Sequence, residues 1–228
     1  VKTFSGRGTL RAMGGNNEIG LAGAGGGGRI SLVLNGDLKY QGDLIARGGS
    51  GKSQSGSPGT IYINTIREGF RSSKLILDNR GVSTTIPLRV LLNESVKAYD
   101  FDELQLYGNV TLGLEQSMVI RNLKTDSSSV IKVQDGAVLI LEPGKQYTQP
   151  LCSFHVQPNG ELRLPVTVKF LGNANVFSGT LSNLFDMTIG EGKRTTLLAS
   201  ARMARFIDGN YTFMTKRGEY RFASLHIK

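Results

Sequence analysis

Apolar residues recur at every second position through most of the chain: Leu32/Leu34, Ile61/Ile63, Leu75/Leu77, Leu104/Leu106, Val110/Leu112/Leu114, Val138/Ile140, Leu162/Leu164 and Val166/Val168/Phe170. That period predicts β-strands, whereas helical periodicity is hard to find. Several strands are expected to open just after a glycine, as at Gly108, Gly136 and Gly160. Hairpins of a sandwich recur about every 8 to 12 residues, and the intervals between these glycines are at least twice that. They suit one full turn of a parallel solenoid carrying two or three short strands. The chain also repeats itself. Thr9-Leu10-Arg11-Ala12-Met13-Gly14-Gly15 and Asp43-Leu44-Ile45-Ala46-Arg47-Gly48-Gly49 are two copies of one phrase, each leading through glycines into an alternating strand. A repeat recurring about every 34 residues marks a stacked architecture.

The fold expected is mainly β, a right-handed parallel β-helix in one continuous body over 1–228. It divides into glycine-rich coils over 1–80, regular coils over 81–192 and a basic C-terminal cap over 193–228. In such a stack each strand pairs with its equivalent above and below at about 4.8 Å, and inward side chains form apolar ladders. Roughly 25 residues per coil would give about nine coils and a rod on the order of 40 to 45 Å long. Tight corners need positive φ or close backbone approach, which accounts for glycine. The stretch 196–207 has the alanine and leucine content of a short helix, and Tyr211–Met214 with Tyr220–Phe222 suggest a hairpin. Either would cap the unpaired strand edges at a solenoid end.

The phrases Gly-Gly-Gly-Gly-Arg-Ile at 25–30 and Gly-Ser-Pro-Gly-Thr-Ile-Tyr-Ile at 56–63 resemble glycine-rich repeats of extracellular, right-handed parallel β-helix proteins, over residues 1–80. The resemblance implies a large surface or matrix molecule.

Composition agrees with a folded, strand-rich chain: 228 residues, 39% hydrophobic, 20% charged and 30 glycines, more than half of them within positions 1–59. One cysteine excludes an internal disulfide, and Cys152 in Leu151-Cys152-Ser153-Phe154 reads as a small buried hydrophobe. No run reaches the roughly 18 apolar residues of a membrane helix, so no direct membrane insertion is expected. The start at Val1, without an initiator methionine or leader, reads as a mature product or an excised segment.

Chemistry is thinner. Residues 46–53 fit a relaxed phosphate-loop pattern and 23–28 fit a dinucleotide fingerprint by letters, yet strands follow both where a helix is required, so no nucleotide or other cofactor is expected. The two histidines, His155 and His226, sit in no nucleophile phrase, and neither catalysis nor a metal site is assigned. Asp100, Asp102 and Glu103 form the best carboxylate cluster, with Asp100 and Asp102 on one strand face, which keeps a polysaccharide-active β-helix as the alternative. Sequons at Asn93, Asn109 and Asn210 fit a secreted glycoprotein. The net charge is +9, and it gathers in 193–228, where Lys193, Arg194, Arg202, Arg205, Lys216, Arg217, Arg221 and Lys228 stand against only Asp208 and Glu219. Such an end attracts polyanions, with acidic glycan ranked above nucleic acid because Trp is absent and no recognition helix is evident. The function expected is non-catalytic: a structural or adhesive segment of a larger secreted or cell-surface protein, binding an extracellular polymer or partner protein.

Overall fold

The computed structural model describes residues 2–19, 22–84, 88–89, 98–142, 150–164, 167–182, 186–189, 193–198, 202–203 and 212–213. All regular structure among them is β-strand. Two compact units are present: Val1–Leu88 with Phe101–Thr111, and Arg89–Asp100 with Leu112–Lys228.

In the first unit, β1 (Thr3–Gly6), β2 (Thr9–Arg11) and β3 (Arg29–Leu34) each pair in parallel with a later counterpart: β4 (Asp37–Tyr40), β5 (Asp43–Ile45) and β6 (Thr60–Arg67). The offset between partners is the same at Thr3↔Asp37 and Thr9↔Asp43 and slightly shorter at Arg29↔Thr60. The repeated phrase therefore lies beside its own copy, Leu10 against Leu44 and Arg11 against Ile45. Ile61 and Ile63 bury beside Ala46, with Ile30, Leu32, Leu44 and Ile76 packed against them.

Gly6 and Gly36, at positive φ, sit at the end of β1 and in the bend after β3, but most glycines of the stretches leading into β3 and β6 do not make corners. Four extended segments, 12–17, 24–28, 46–51 and 54–59, are bound to one another through backbone hydrogen bonds that recur mostly at every third residue. Gly25 N donates to Gly15 O and Gly28 N to Ala12 O; Gly56 N donates to Gly49 O and Gly59 N to Ala46 O; Ala24 N donates to Gln54 O and Gly27 N to Ser57 O. Three-residue periodicity without internal bonds is the habit of the polyproline II conformation, and where such chains pack together closely only glycine fits at the crowded positions. A Cβ on Gly56 would stand 2.6 Å from the Gly25 carbonyl carbon, and one on Gly59 would stand 2.7 Å from those of Gly27 and Gly28. Neither glycine has positive φ, so close approach is the reason for glycine here. Asn79 is fully buried and pins this bundle: its Oδ1 accepts from Gly48 N at 2.8 Å, and its Nδ2 donates to Gly56 O at 3.3 Å and Val82 O at 2.5 Å.

One pairing departs from the parallel pattern. Strand β7 (Phe70–Asp78) folds back on β6 as an antiparallel hairpin, closed at Arg67↔Phe70 by Glu68 and Gly69, both at positive φ (50° and 81°). That is the primed two-residue turn whose twist matches the flanking strands. The short β8 (Leu88–Arg89) follows, and β7 then pairs in parallel with β9 (Ala98–Tyr107), Leu75 against Leu104 and Leu77 against Leu106, all four buried. Strand β10 (Thr111–Leu114) buries Leu112 and Leu114.

The second unit is built from three parallel ladders. The first contains β12 (Val130–Val133), β14 (Ser153–Val156), β17 (Ala174–Phe177), β20 (Arg194–Leu197) and β22 (Thr212–Phe213). The second contains β11 (Ser117–Thr125), β13 (Val138–Leu141), β15 (Glu161–Arg163), β18 (Thr180–Ser182) and β21 (Arg202–Met203). The third is the pair β16 (Thr167–Phe170) and β19 (Asp186–Ile189). From β14 to β21 the chain visits them in a fixed rotation: first, second, third, first, second, third, first, second. The steps between neighbouring rungs, as at Val138↔Glu161, Glu161↔Thr180 and Thr196↔Thr212, are unequal. All three are shorter than the roughly 25 residues per coil expected from glycine spacing.

Register stacks like on like. Leu139, Leu162 and Leu181 lie side by side and buried, as do Val133, Val156 and Phe177. Phe170 has its ring centroid 5.6 Å from those of both Phe154 and Phe177, within the range for favourable aromatic pairs. Each fully buried side chain of this size contributes about 1.5–3 kcal/mol by removal from water. Beside the apolar stack runs a polar one: Ser153 N donates to Ser129 O, Ala174 N to Ser153 Oγ, Phe154 N to Asn175 Oδ1, and Asn175 Nδ2 to Thr195 Oγ1.

The helix expected over 196–207 is a misreading wherever the chain is described. Thr196 and Leu197 end β20, and Arg202 and Met203 form β21, because each finds a parallel partner, Val176↔Thr196 and Thr180↔Arg202. Tertiary pairing overrides the weak helix preference of so short a stretch. Of the expected hairpin, Thr212 and Phe213 lie in parallel on β20, and Tyr211, Met214 and Tyr220–Phe222 fall outside the described residues.

Candidate functional site

The phosphate-loop match at 46–53 belongs to the glycine bundle. Its amides are already spent, Gly48 N on Asn79 Oδ1, Gly49 N on Gly25 O and Lys52 N on Asn17 O, and β6 follows rather than a helix. The fingerprint at 23–28 ends in β3 in the same way. Neither offers the fan of free amides that cradles a phosphate.

The three carboxylates of the predicted cluster face different partners. In the second unit, Arg121 forms a two-pronged pair with Asp100, its Nη1 on Oδ1 and its Nη2 on Oδ2 at 3.0 Å, and reaches Glu142 through Nε at 3.6 Å. In the first unit, Asp102 Oδ2 accepts from Ser73 N at 2.8 Å and Ser73 Oγ at 3.2 Å. Glu103 pairs with Lys74 at 2.8 Å and accepts from Gln105 Nε2 at 2.5 Å. The inward alternation of β9 also slips here, since Phe101 and Leu104 are both buried with two half-buried residues between them. A further carboxylate, Glu161, accepts from Arg163 Nε at 2.8 Å and Ser182 Oγ at 2.5 Å. The hydrogen bond from Arg163 holds it below the usual carboxylate range.

His155 is half-buried on β14 beside Lys132, its neighbour in register. Desolvation, with the Lys132 charge added, lowers its pKa. Cys152 is fully buried, and burial pushes its thiol up to about 12, so no thiolate forms at neutral pH. Among the described residues no three His, Cys, Asp or Glu side chains gather as a metal site, and no helix is long and apolar enough to cross a membrane.

Of the predicted polyanion-binding residues, Lys193 donates from Nζ to Asn173 Oδ1 at 2.8 Å, and Arg194 opens β20, exposed and in register with Ala174. The backbone of Arg202 lies in β21 against Thr180. Arg205, Lys216, Arg217, Arg221 and Lys228 lie outside the described residues, as do Asn93, Asn210 and His226. Asn109 is half-buried in a turn at φ 64°, its Nδ2 donating to Gly81 O at 3.3 Å.

A feature absent from the sequence reading is the tip of the β6–β7 hairpin. Pairing of β3 with β6 ends at Leu34↔Thr65, and pairing of β7 with β9 begins at Lys74↔Glu103. The last two rungs, Ile66↔Arg71 and Arg67↔Phe70, therefore lie past the last β6 residue paired with β3 and before the first β7 residue paired with β9. Phe70 is 80% exposed and Ile66 39%. The signal was Glu68-Gly69 between two alternating runs, a weaker hairpin cue than Asn-Gly or Asp-Gly. Comparison with known protein families, curated proteins and solved structures finds no match to this chain.

Proposed function

We propose that the chain is a right-handed parallel β-helix serving as a non-catalytic structural or adhesive segment of a larger secreted or cell-surface protein. The observation that carries this reading is the fixed rotation of strands among three parallel ladders, in which the chain returns to each ladder after one short circuit. Parallel crossovers are right-handed in about 98% of cases, which supports the handedness. Stacked coils resist local opening because every backbone group inside a ladder is paired on both sides, and the side chains of the outer faces are then held at fixed spacing. That suits sustained contact with an extracellular polymer better than turnover. The carboxylates that a polysaccharide-cleaving site would need are held by structural partners: Asp100 by Arg121, Asp102 by Ser73.

The test has two arms. Far-ultraviolet circular dichroism should be dominated by strand under this reading, and a spectrum dominated by helix overturns the β-helix. Incubation with pectin, alginate and chondroitin, with and without calcium, should leave the ultraviolet absorbance of unsaturated ends and the count of reducing ends unchanged while the polymers retain the protein in cosedimentation. Release of unsaturated or reducing ends would make the chain an enzyme.

A further inference from the structure

We infer that the β6–β7 hairpin tip is a binding site for a single anionic pyranose residue, a uronate or sulfated sugar, of an extracellular polysaccharide. This rests on the adhesive reading and adds to it a place and a ligand class. Residues directly opposite in an antiparallel pair share a face, with Cβ atoms about 5 Å apart. Arg67 and Phe70 are such a pair. An aromatic ring standing beside a guanidinium meets the two demands of an acidic sugar: the C–H face of the pyranose packs on the ring, and its carboxylate or sulfate takes the planar fork of the arginine.

Neither side chain is committed elsewhere. Phe70 is 80% exposed, and the ion pairs of Arg67 are long, 3.6 Å to Asp37 and 3.9 Å to Glu68, with its own side chain 70% exposed. Exposed pairs of that kind contribute close to nothing, so Arg67 is available to a better acceptor. The opposite face repeats the pairing with Ile66 and Arg71, whose guanidinium is steadied by Tyr62 OH at 3.1 Å. A lipid surface fits less well, because the apex itself is Glu68 and Gly69, and insertion of Phe70 would carry an exposed carboxylate into the headgroups first.

The test uses the whole chain and affinity electrophoresis through gels holding polygalacturonate, alginate, dextran sulfate or unmodified dextran, with phosphatidylserine vesicles as a separate cosedimentation arm. Retardation by the anionic polymers and not by dextran is expected, and the preference between carboxylated and sulfated polymers identifies the anion. Phe70→Ala and Arg67→Gln should each weaken retardation roughly tenfold, with unchanged thermal midpoints. Phe70→Trp should retain binding and, as the only Trp of the chain, shift its emission on adding polygalacturonate. Retardation unchanged in both Phe70→Ala and Arg67→Gln overturns the site while leaving the adhesive reading standing. No retardation of the unaltered protein by any anionic polymer overturns the site as well, and binding to vesicles alone replaces sugar by lipid.

Discussion

Replacing Gly59 by alanine isolates the claim that the glycines of the first unit are present because backbone takes the place of side chain. The added Cβ would stand 2.7 Å from the carbonyl carbons of Gly27 and Gly28, and closer still to the Gly28 oxygen. Comfortable carbon separations are about 3.5–4.0 Å, so one segment must retreat by roughly 1 Å. Retreat strains two hydrogen bonds that meet at this point, Gly59 N to Ala46 O at 2.6 Å and Thr60 N to Gly28 O at 3.1 Å. Overpacking costs about 1–3 kcal/mol and a backbone group left unsatisfied about 1–3 more, giving a loss of about 2–6 kcal/mol. Gly15→Ala is the control: no atom lies within 4 Å of its Cβ and its φ is not positive. That substitution should be neutral or stabilise by about 0.4–1 kcal/mol, through the less flexible unfolded chain. Urea unfolding followed by far-ultraviolet circular dichroism, with amide exchange at Gly49 and Gly56, separates the two. Loss of less than about 0.5 kcal/mol in Gly59→Ala, or equal damage from Gly15→Ala, would refute the close-approach argument.

Asn79→Ala should cost about 3–5 kcal/mol, since it strips partners from Gly48 N, Gly56 O and Val82 O inside the fold, and should speed exchange of the Gly48 amide. Cys152, with its pKa pushed up to about 12, should resist a disulfide reagent at mildly alkaline pH and react at the rate of unfolding, so immediate labelling of the native protein would show the thiol to be accessible. His155 has a depressed folded pKa, so the unfolded chain takes up its proton first. Its contribution to stability is complete above about pH 6.5 and is lost as pH falls from there towards the folded value. Lys132→Gln should raise the imidazole pKa measured by NMR titration, though not fully, because desolvation remains the larger cause.

The repeat at 9–15 and 43–49 was legible because parallel neighbours at a fixed offset share one environment, so similar residues recur in both copies. The role of the glycines was not. A segment bonded through every third residue has no local signature, since its partners lie far off along the chain, as Gly49 N to Gly25 O illustrates. Alternation found β13 but chose the wrong face: the strand is apolar throughout, and Leu139 and Leu141 are buried while Val138 and Ile140 remain half-exposed. Among candidate residues, Asp100 and Asp102 look like a pair by spacing, yet β9 loses its alternation between Phe101 and Leu104 and each carboxylate meets its own partner. The hairpin tip was invisible to a search for charged clusters because its chemistry joins one cation to one apolar ring across a turn.

The chain fills its interior in two ways, and the difference decides where a ligand can be recognised. Stacked Leu139, Leu162 and Leu181 gain burial of apolar area at about 25 cal/mol per Å², and such rungs tolerate a conservative exchange because a neighbouring side chain can repack. Glycine segments have no such term. Each glycine forfeits about 0.5–1 kcal/mol of backbone entropy relative to alanine, so the bundle holds only if nearly every amide finds its carbonyl. It therefore needs lateral support, which comes from Asn79 after β7 and from Ile61 and Ile63 on β6, the two strands of the hairpin. Strands fixed at their base by a dense bonded lattice cannot splay, and a two-residue primed turn leaves their far end little freedom. The backbone that carries Phe70 and Arg67 is consequently fixed before a ligand arrives, so binding need order only the two side chains and not the segment that bears them.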